Sequence, residues 1–211
     1  VPSIAQRLMG NPLVSAVYEG VWRPVFTRIF SLGGSGTAEF DKAFTAYLAR
    51  AGERTILDVA CGPGLYTRRL AANLTGTGHC VGVDFSEAML ARAVTKPHPR
   101  TSFIRGDAHR LPFADDSFDT VTCFAALYLI PDPLPVIDEL IRVTRPGGEV
   151  AIFTSVVTGL TSLPGVKTIG HLGGYRFFGR DEITDRLRLA GVGRIEQTVV
   201  DQGQFVLAFK D

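Results

Sequence analysis

Three acidic residues stand within or just past short apolar runs, and each has neighbours that suit it to a ligand. Asp58 lies inside the run Thr55–Ala60 and is followed by Ala60-Cys61-Gly62-Pro63-Gly64. Gly62 and Gly64 let the backbone turn sharply and approach a bound group with no Cβ in the way. A helix starting near Leu65 aims its free N–H groups at the same place. A tight strand-to-helix turn is the plain alternative for these glycines. Asp84 ends a second apolar run, about twenty residues on, where a carboxylate can accept hydrogen bonds from a ribose diol. Capping of the helix after it is the other role open to Asp84 or Ser86. Phe85 offers a ring to an adenine, and Met89, one helical turn on, is suited to covering the base or to the core. Asp107, in Arg105-Gly106-Asp107-Ala108 after a third run, can accept an adenine amino group, with the Ala108 N–H beside it. Two features discriminate: this Arg105–Ala108 element, for which a hydride-transfer fold has no standing need, and Asp58 inside the first run. A buried carboxylate is costly unless paired, and a cationic, amino-acid-like ligand with nearby backbone amides would supply partners.

These residues need a scaffold of parallel strands. Apolar runs at Thr55–Ala60, Cys80–Asp84, Thr101–Arg105, Thr120–Phe124 and Glu149–Ser155 alternate with helical segments Leu65–Leu74, Glu87–Ala93 and Leu134–Thr144. Strands that are apolar throughout and flanked by helices indicate a parallel sheet covered on both faces. Arg145–Gly148 (RPGG) reads as a stop and turn before the fifth strand. The remainder reads as helix Arg180–Leu189 and strands Arg194–Asp201 and Gln204–Phe209. Gln202-Gly203 is too short for a crossover, so these two form an antiparallel hairpin.

Ahead of the strands, apolar pairs recur every four residues from Leu13/Val14 to Ile29/Phe30, giving an aromatic helical stripe that Pro24 should kink. Ser31–Gly36 is a glycine-rich break, and Glu39–Ala51 a second helix. Residues 1–52 are expected to form a helical cap on a core at 53–211, the whole being one domain. Tyr18, Trp22 and Phe26 suit a lid that closes over an apolar pocket; plain packing of the stripe on the scaffold is the alternative.

The 211 residues carry a formal charge of +1, so no global field recruits nucleic acid or an anionic membrane. Cys61, Cys80 and Cys123 are too far apart in sequence for a zinc pair and fit a reducing, cytoplasmic setting. No run is long and apolar enough for a membrane span. The four histidines are scattered, so no metal is expected.

Four ordered segments, ILDVACGPG (Ile56–Gly64), VGVDFSEAML (Val81–Leu90), FIRGDAHRLPFADDSFDTVTC (Phe103–Cys123) and LIRVTRPGGEVAIF (Leu140–Phe153), resemble the motifs of class I S-adenosylmethionine-dependent methyltransferases. They resemble in particular the branch that contains ubiquinone/menaquinone-biosynthesis enzymes and other small-molecule methyltransferases. The resemblance implies a Rossmann-like α/β fold with a seven-stranded, mostly parallel sheet and an antiparallel last strand. It implies S-adenosyl-L-methionine as cofactor and S-adenosylhomocysteine as product. Asp58 and the backbone of Ala60, Cys61, Gly62 and Gly64 would hold the methionine end, and Asp84 the ribose hydroxyls. Phe85 would flank the adenine, Asp107 and Ala108 would read its edge, and Phe124 would lie beside the methyl group, with Met89 and Gly106 as further candidate cofactor contacts.

Two departures matter. Many relatives carry histidine where this chain has Tyr128-Leu129, so no histidine can act there. The Asn/Asp-Pro-Pro-aromatic motif for base amino groups in nucleic acids is absent after the fourth strand; Pro131-Asp132-Pro133 reads as a turn. A small-molecule acceptor is therefore expected, with His171 or Tyr128 as candidate catalytic groups and Tyr18, Trp22 and Tyr175 as candidate acceptor contacts. His109 is a neighbour on the adenine side, and Cys123 reads as core. An NAD-dependent oxidoreductase would use Gly62, Gly64 and Asp84, but Thr67 stands at the third glycine of that fingerprint. A paralogue that binds the cofactor and modifies nothing is the non-enzymatic alternative.

Overall fold

The computed structural model describes residues 36–50, 52–159, 175–200 and 202–211. The aromatic stripe with Tyr18, Trp22 and Phe26 lies outside these residues, as does His171. The described elements are α1 (Gly36–Leu48), β1 (Thr55–Val59), α2 (Leu65–Asn73), β2 (His79–Asp84), α3 (Glu87–Ala93), β3 (Thr101–Arg105), β4 (Phe118–Phe124), a 3-10 turn (Leu127–Leu129), α4 (Leu134–Val143), β5 (Thr144–Ser155), α5 (Glu182–Leu189), β6 (Arg194–Val200) and β7 (Gly203–Phe209).

The strands form one seven-stranded sheet in the order β3-β2-β1-β4-β5-β7-β6. β1 to β5 are mutually parallel, and β7 runs antiparallel to both β5 and β6. The expected fold class is therefore the observed one. β1 and β4 sit at the centre and are buried along nearly their whole length, which is why their sequences are apolar without alternation. On one face Ile56, Leu70, Leu74, Cys80, Phe124 and Ala151 pack with Leu48 and Ala49 at the end of α1. The end of α1 thus packs on this face of the sheet. On the other face Val136, Ile137, Leu140 and Ile141 of α4 and Ile183 and Leu187 of α5 cover Val121, Ile152 and Val206. The four α4 residues recur at the spacing of one helical stripe.

Several boundaries differ from the sequence expectation. RPGG does not precede the fifth strand but interrupts it. Thr144 already pairs with Phe118, and pairing resumes at Glu149 with Thr120, so four residues bulge against Asp119. Gly147 takes φ 73° in this bulge. β4 begins at Phe118, two residues early, for the same reason. α1 begins and ends three residues ahead of Glu39–Ala51, and Gly52 at φ 72° follows its end. The final hairpin pairs Val200 with Gly203, one residue ahead of the expected turn.

Cys61, Cys80 and Cys123 are buried free thiols. Among the described residues no helix is long and apolar enough to cross a membrane, and no group of three or more His, Cys, Asp or Glu could hold a metal.

Candidate active site

From β1 the chain moves outward through β2 to β3, and from β4 outward the other way to β5. The strand order reverses between β1 and β4, and crevices at the carboxyl ends of such strands are where open α/β sheets bind ligands. Both strands are followed at once by a non-glycine residue in the left-handed region, Ala60 and Ala125, each at φ 55°. Such a residue costs about 1–3 kcal/mol and persists only where its surroundings over-determine it. The anchors are visible: Cys61 N–H donates to Val83 O at 3.0 Å, and Ala125 N–H to Phe153 O at 2.9 Å.

The two glycines of the first loop differ in purpose. A Cβ on Gly64 would lie 2.6 Å from the Phe103 ring, so Gly64 is fixed by packing. A Cβ on Gly62 would meet nothing within 4 Å. Gly62 therefore leaves an open cradle at the carboxyl end of β1. α2 starts beside it with no side-chain cap, its N-cap Gly64 at φ 75°.

Asp84 closes this loop from the side. One carboxylate oxygen accepts the Gly62 N–H at 2.7 Å and the other accepts the Ser86 N–H at 2.8 Å. Burial raises its pKa, against the lowering effect of the Ser86 and Gly62 amides. Ser86 caps α3 by accepting from Met89 N–H, so capping falls to Ser86 and not to Asp84. Phe85 projects into solvent, 51% exposed, whereas Met89 is buried.

Asp58 is 1% exposed in the middle of the sheet. Its oxygens accept from the hydroxyls of Thr67 at 2.6 Å and Thr122 at 3.0 Å. Burial pushes its pKa up to about 6, opposed by the Thr67 and Thr122 hydroxyls, raised further by the charge of Asp84 and lowered by the Thr67 amide. Where a cationic ligand and backbone amides are the expected partners of this acid, the chain itself supplies two threonine hydroxyls and one amide. Thr67 occupies the position of a missing third glycine and serves the acid instead; nothing in local spacing signals a bond between residues nine apart.

The raised value has a pH consequence. Between the ordinary 3.8 and about 6 the folded protein holds a proton that the unfolded chain releases. Ionised Asp58 therefore costs stability, progressively as pH rises through that window and by about 3 kcal/mol above it. Asp58→Asn is expected to be less stable relative to wild type at about pH 4 than at about pH 7.5, the gap shifting in its favour by up to that amount. Urea midpoints at the two pH values measure this, and parallel profiles for the two proteins would refute it.

At the end of β3 the chain is held to its neighbours. Gly106 N–H donates to Asp84 O at 3.1 Å, and a Cβ on Gly106 would lie 3.0 Å from Val83. Asp107 is exposed and accepts from His109 through both its backbone N–H (2.9 Å) and ring Nδ1 (3.1 Å). These bonds, the amide first, hold the Asp107 pKa low against the raising effect of burial. Ala108 is half-buried beside it.

Phe124 is buried at the end of β4 between Phe44 of α1 and Tyr66 of α2, with ring centroids 5.9 and 5.1 Å away. Phe44 also meets Phe205 of β7, which stacks on Phe153 of β5 at 4.3 Å. Five rings from five elements make one aromatic wall. Phe44, Tyr66, Phe153 and Phe205 are not among the site residues expected from sequence, because no local pattern joins them. Tyr128 and Tyr175, named separately from sequence, are brought together with ring centroids 4.5 Å apart, and Arg176 N–H donates to Tyr128 O.

Residues 56–148 match the family model described as a methyltransferase domain. An uncharacterised chloroplastic methyltransferase of Arabidopsis thaliana is 32% identical over 212 residues, covering 95% of this chain and 59% of that protein. The demethylmenaquinone methyltransferase of Clavibacter sepedonicus is 38% identical over 144 residues, covering 67% of this chain and 50% of that enzyme. The chain thus spans between half and three-fifths of the length of these relatives. Among solved structures, phosphoethanolamine N-methyltransferase 2 of Haemonchus contortus, in complex with S-adenosyl-L-methionine, has a TM-score of 0.69 at 18% identity and covers 80% of this chain and 52% of that one. The [4+2]-cyclase SpnF has a TM-score of 0.66 at 20% identity, with 80% of both chains covered. At such identities these structures speak for the fold alone. Fold, motif order and sequence match agree in pointing to a methyltransferase domain at residues 56–148.

Proposed function

We propose that this chain transfers a methyl group from S-adenosylmethionine to a small, largely apolar acceptor. The observation that carries this reading is an order in space. Across the carboxyl edge of β3, β2, β1 and β4 the candidate groups run Asp107, Asp84, Asp58 with the Gly62 cradle, then Phe124. The first three follow the order of adenine edge, ribose diol and amino-acid end along the cofactor, and Phe124 is the candidate neighbour of the methyl group, which branches from the sulfonium between ribose and amino acid. The open face of Gly62 accommodates a close approach, and a buried acid with hydroxyl partners gains from a nearby ammonium. The cofactor supplies a methyl group already activated on a sulfonium. The chain's residues then have two tasks, to align the acceptor and to keep water out.

The aromatic wall supports a planar, apolar acceptor, since rings stack or meet edge to face. The demethylmenaquinone methyltransferases among the relatives make a quinol the first class to try. Tyr128 and Tyr175 are offered as hydrogen-bonding residues on the acceptor side, together with His171, Tyr18 and Trp22 outside the described residues. Thr67, which fills the third-glycine position and serves Asp58, weighs against a dinucleotide.

Thermal shift separates the two cofactors. At a hundredfold excess over Kd, S-adenosylhomocysteine is expected to stabilise the protein by about 2.7 kcal/mol, a rise of roughly 5–10 °C. Stabilisation by NAD with none by S-adenosylhomocysteine would overturn the reading. Because the fold also serves a cyclase, transfer itself is tested with a labelled methyl donor against quinols, phenols and lipid-like hydroxyls. Tight cofactor binding with no label on any apolar acceptor would favour a protein that binds without methylating.

A further inference from the structure

We propose that His109 is a positioning residue for Asp107, acting as a protonated clip between the turn after β3 and the turn after β4. The proposal rests on the reading above that Asp107 meets the adenine. Both ring nitrogens of His109 face acceptors. Nδ1 lies 3.1 Å from Asp107 Oδ1, and Nε2 lies 2.9 Å from Pro131 O and 3.1 Å from Asp132 O. Only an imidazolium donates from both nitrogens. A neutral ring turns a lone pair on one side or the other, so it must repel either the Asp107 carboxylate or the two carbonyls. The charged ring holds Asp107 by Oδ1 and leaves Oδ2 to the ligand. It also ties the adenine side of the site to the segment that follows Phe124 and Tyr128, where Asp132 sits at φ 45°.

The groups around the ring are few. Asp107 faces it from its own segment. Asp132 faces it from the turn after β4, and on α5 Arg186 feels the Asp132 charge while paired with Asp138. Burial lowers the His109 pKa, but the bonds to Asp107, Asp132 and Pro131 outweigh it and the net direction is upward. The clip is therefore closed at and below the ordinary histidine range and opens as pH rises beyond it. The rest of this loop does not depend on it. Glu139 accepts the Leu111 N–H at 2.8 Å, and Arg142 donates to Leu111 O at 3.1 Å and Phe113 O at 2.9 Å. A variant without the imidazole should keep the loop and the fold.

The test is calorimetric titration of S-adenosylhomocysteine into wild type, His109→Ala and Asp107→Ala between about pH 6 and about pH 9. Wild type is expected to bind about fivefold tighter than His109→Ala at the acid end, the worth of one net hydrogen bond, and the ratio should fall towards one at the alkaline end. Asp58 titrates with the opposite effect on affinity in both proteins, so the ratio isolates His109. A ratio that stays constant with pH, or equal affinities throughout, would overturn the clip. Undiminished binding by Asp107→Ala would overturn it at its premise, the adenine contact. No binding of S-adenosylhomocysteine by wild type would instead be a failure of the proposed cofactor, so the two failures are distinguishable.

Discussion

Asp84→Ala is expected to weaken S-adenosylhomocysteine binding by about a hundredfold or more while leaving a folded protein. A charged acceptor for two ribose hydroxyls contributes about 1.5–3 kcal/mol for each bond, and both are lost together. The side chain has a second task, which adds to the loss. Its two oxygens accept the Gly62 and Ser86 amides, one each, and so fix the cradle before the ligand arrives. The fold should survive, because burial already raises the Asp84 pKa and removing the acid relieves that cost. Asp84→Asn is not a mild substitute. An amide has one acceptor oxygen, and its nitrogen would face a backbone N–H that now meets a carboxylate oxygen. Calorimetry with both variants measures the effect. A loss below about fivefold in each would remove the ribose role from Asp84.

The largest loss of stability is expected at the opposite, amino-terminal edge of the parallel strands. Glu149 is 2% exposed where β5 resumes after its bulge. One of its oxygens meets Arg54 at 2.9 Å, Arg50 at 3.3 Å and the Thr120 hydroxyl at 3.1 Å. Arg54 also donates to Asp119 O at 3.1 Å, and Asp119 accepts the Thr55 N–H at 2.7 Å and pairs with Arg145. This network joins the chain after α1 to β1, β4 and β5. Removing one partner of a buried pair strands the other, at a cost of about 3–5 kcal/mol. The Nε of Arg54 already has no partner, so Glu149→Ala leaves that guanidinium with little beyond one carbonyl. A fall of about 10 °C or more in Tm is expected for a chain of this size. Cofactor affinity of the folded fraction should not change, since the network lies at the amino ends of the strands. A shift under about 2 °C would show that the arginines find other partners.

What could be read from sequence followed from how far each signal reaches along the chain. The parallel strands were legible because burial on both faces leaves unbroken apolar runs. The hairpin was legible because two residues cannot make a crossover. The bulge at Arg145–Gly148 was not, since RPGG has turn chemistry whether it stops a strand or interrupts one, and only pairing with β4 decides. The acids at 58, 84 and 107 stood out because a charge next to an apolar run is unusual. Their partners did not. Thr122 reaches Asp58 from the adjacent strand, and the Pro131 and Asp132 carbonyls reach His109 from 22 and 23 residues away. The aromatic wall was hidden for the same reason, its five rings coming from five separate elements.

The place of β7 has a consequence for synthesis on the ribosome. β7 lies between β5 and β6, so it emerges after both strands it joins. Until it does, β6 has no neighbour and one edge of β5 stays open along Glu149–Ser155, the stretch β7 later pairs. A nascent chain must therefore shelter two unpaired edges, which are ready templates for mispairing between chains. A chain that stopped short of Gly203 would lose two strands of the sheet and not one, because β6 is held to it only through β7.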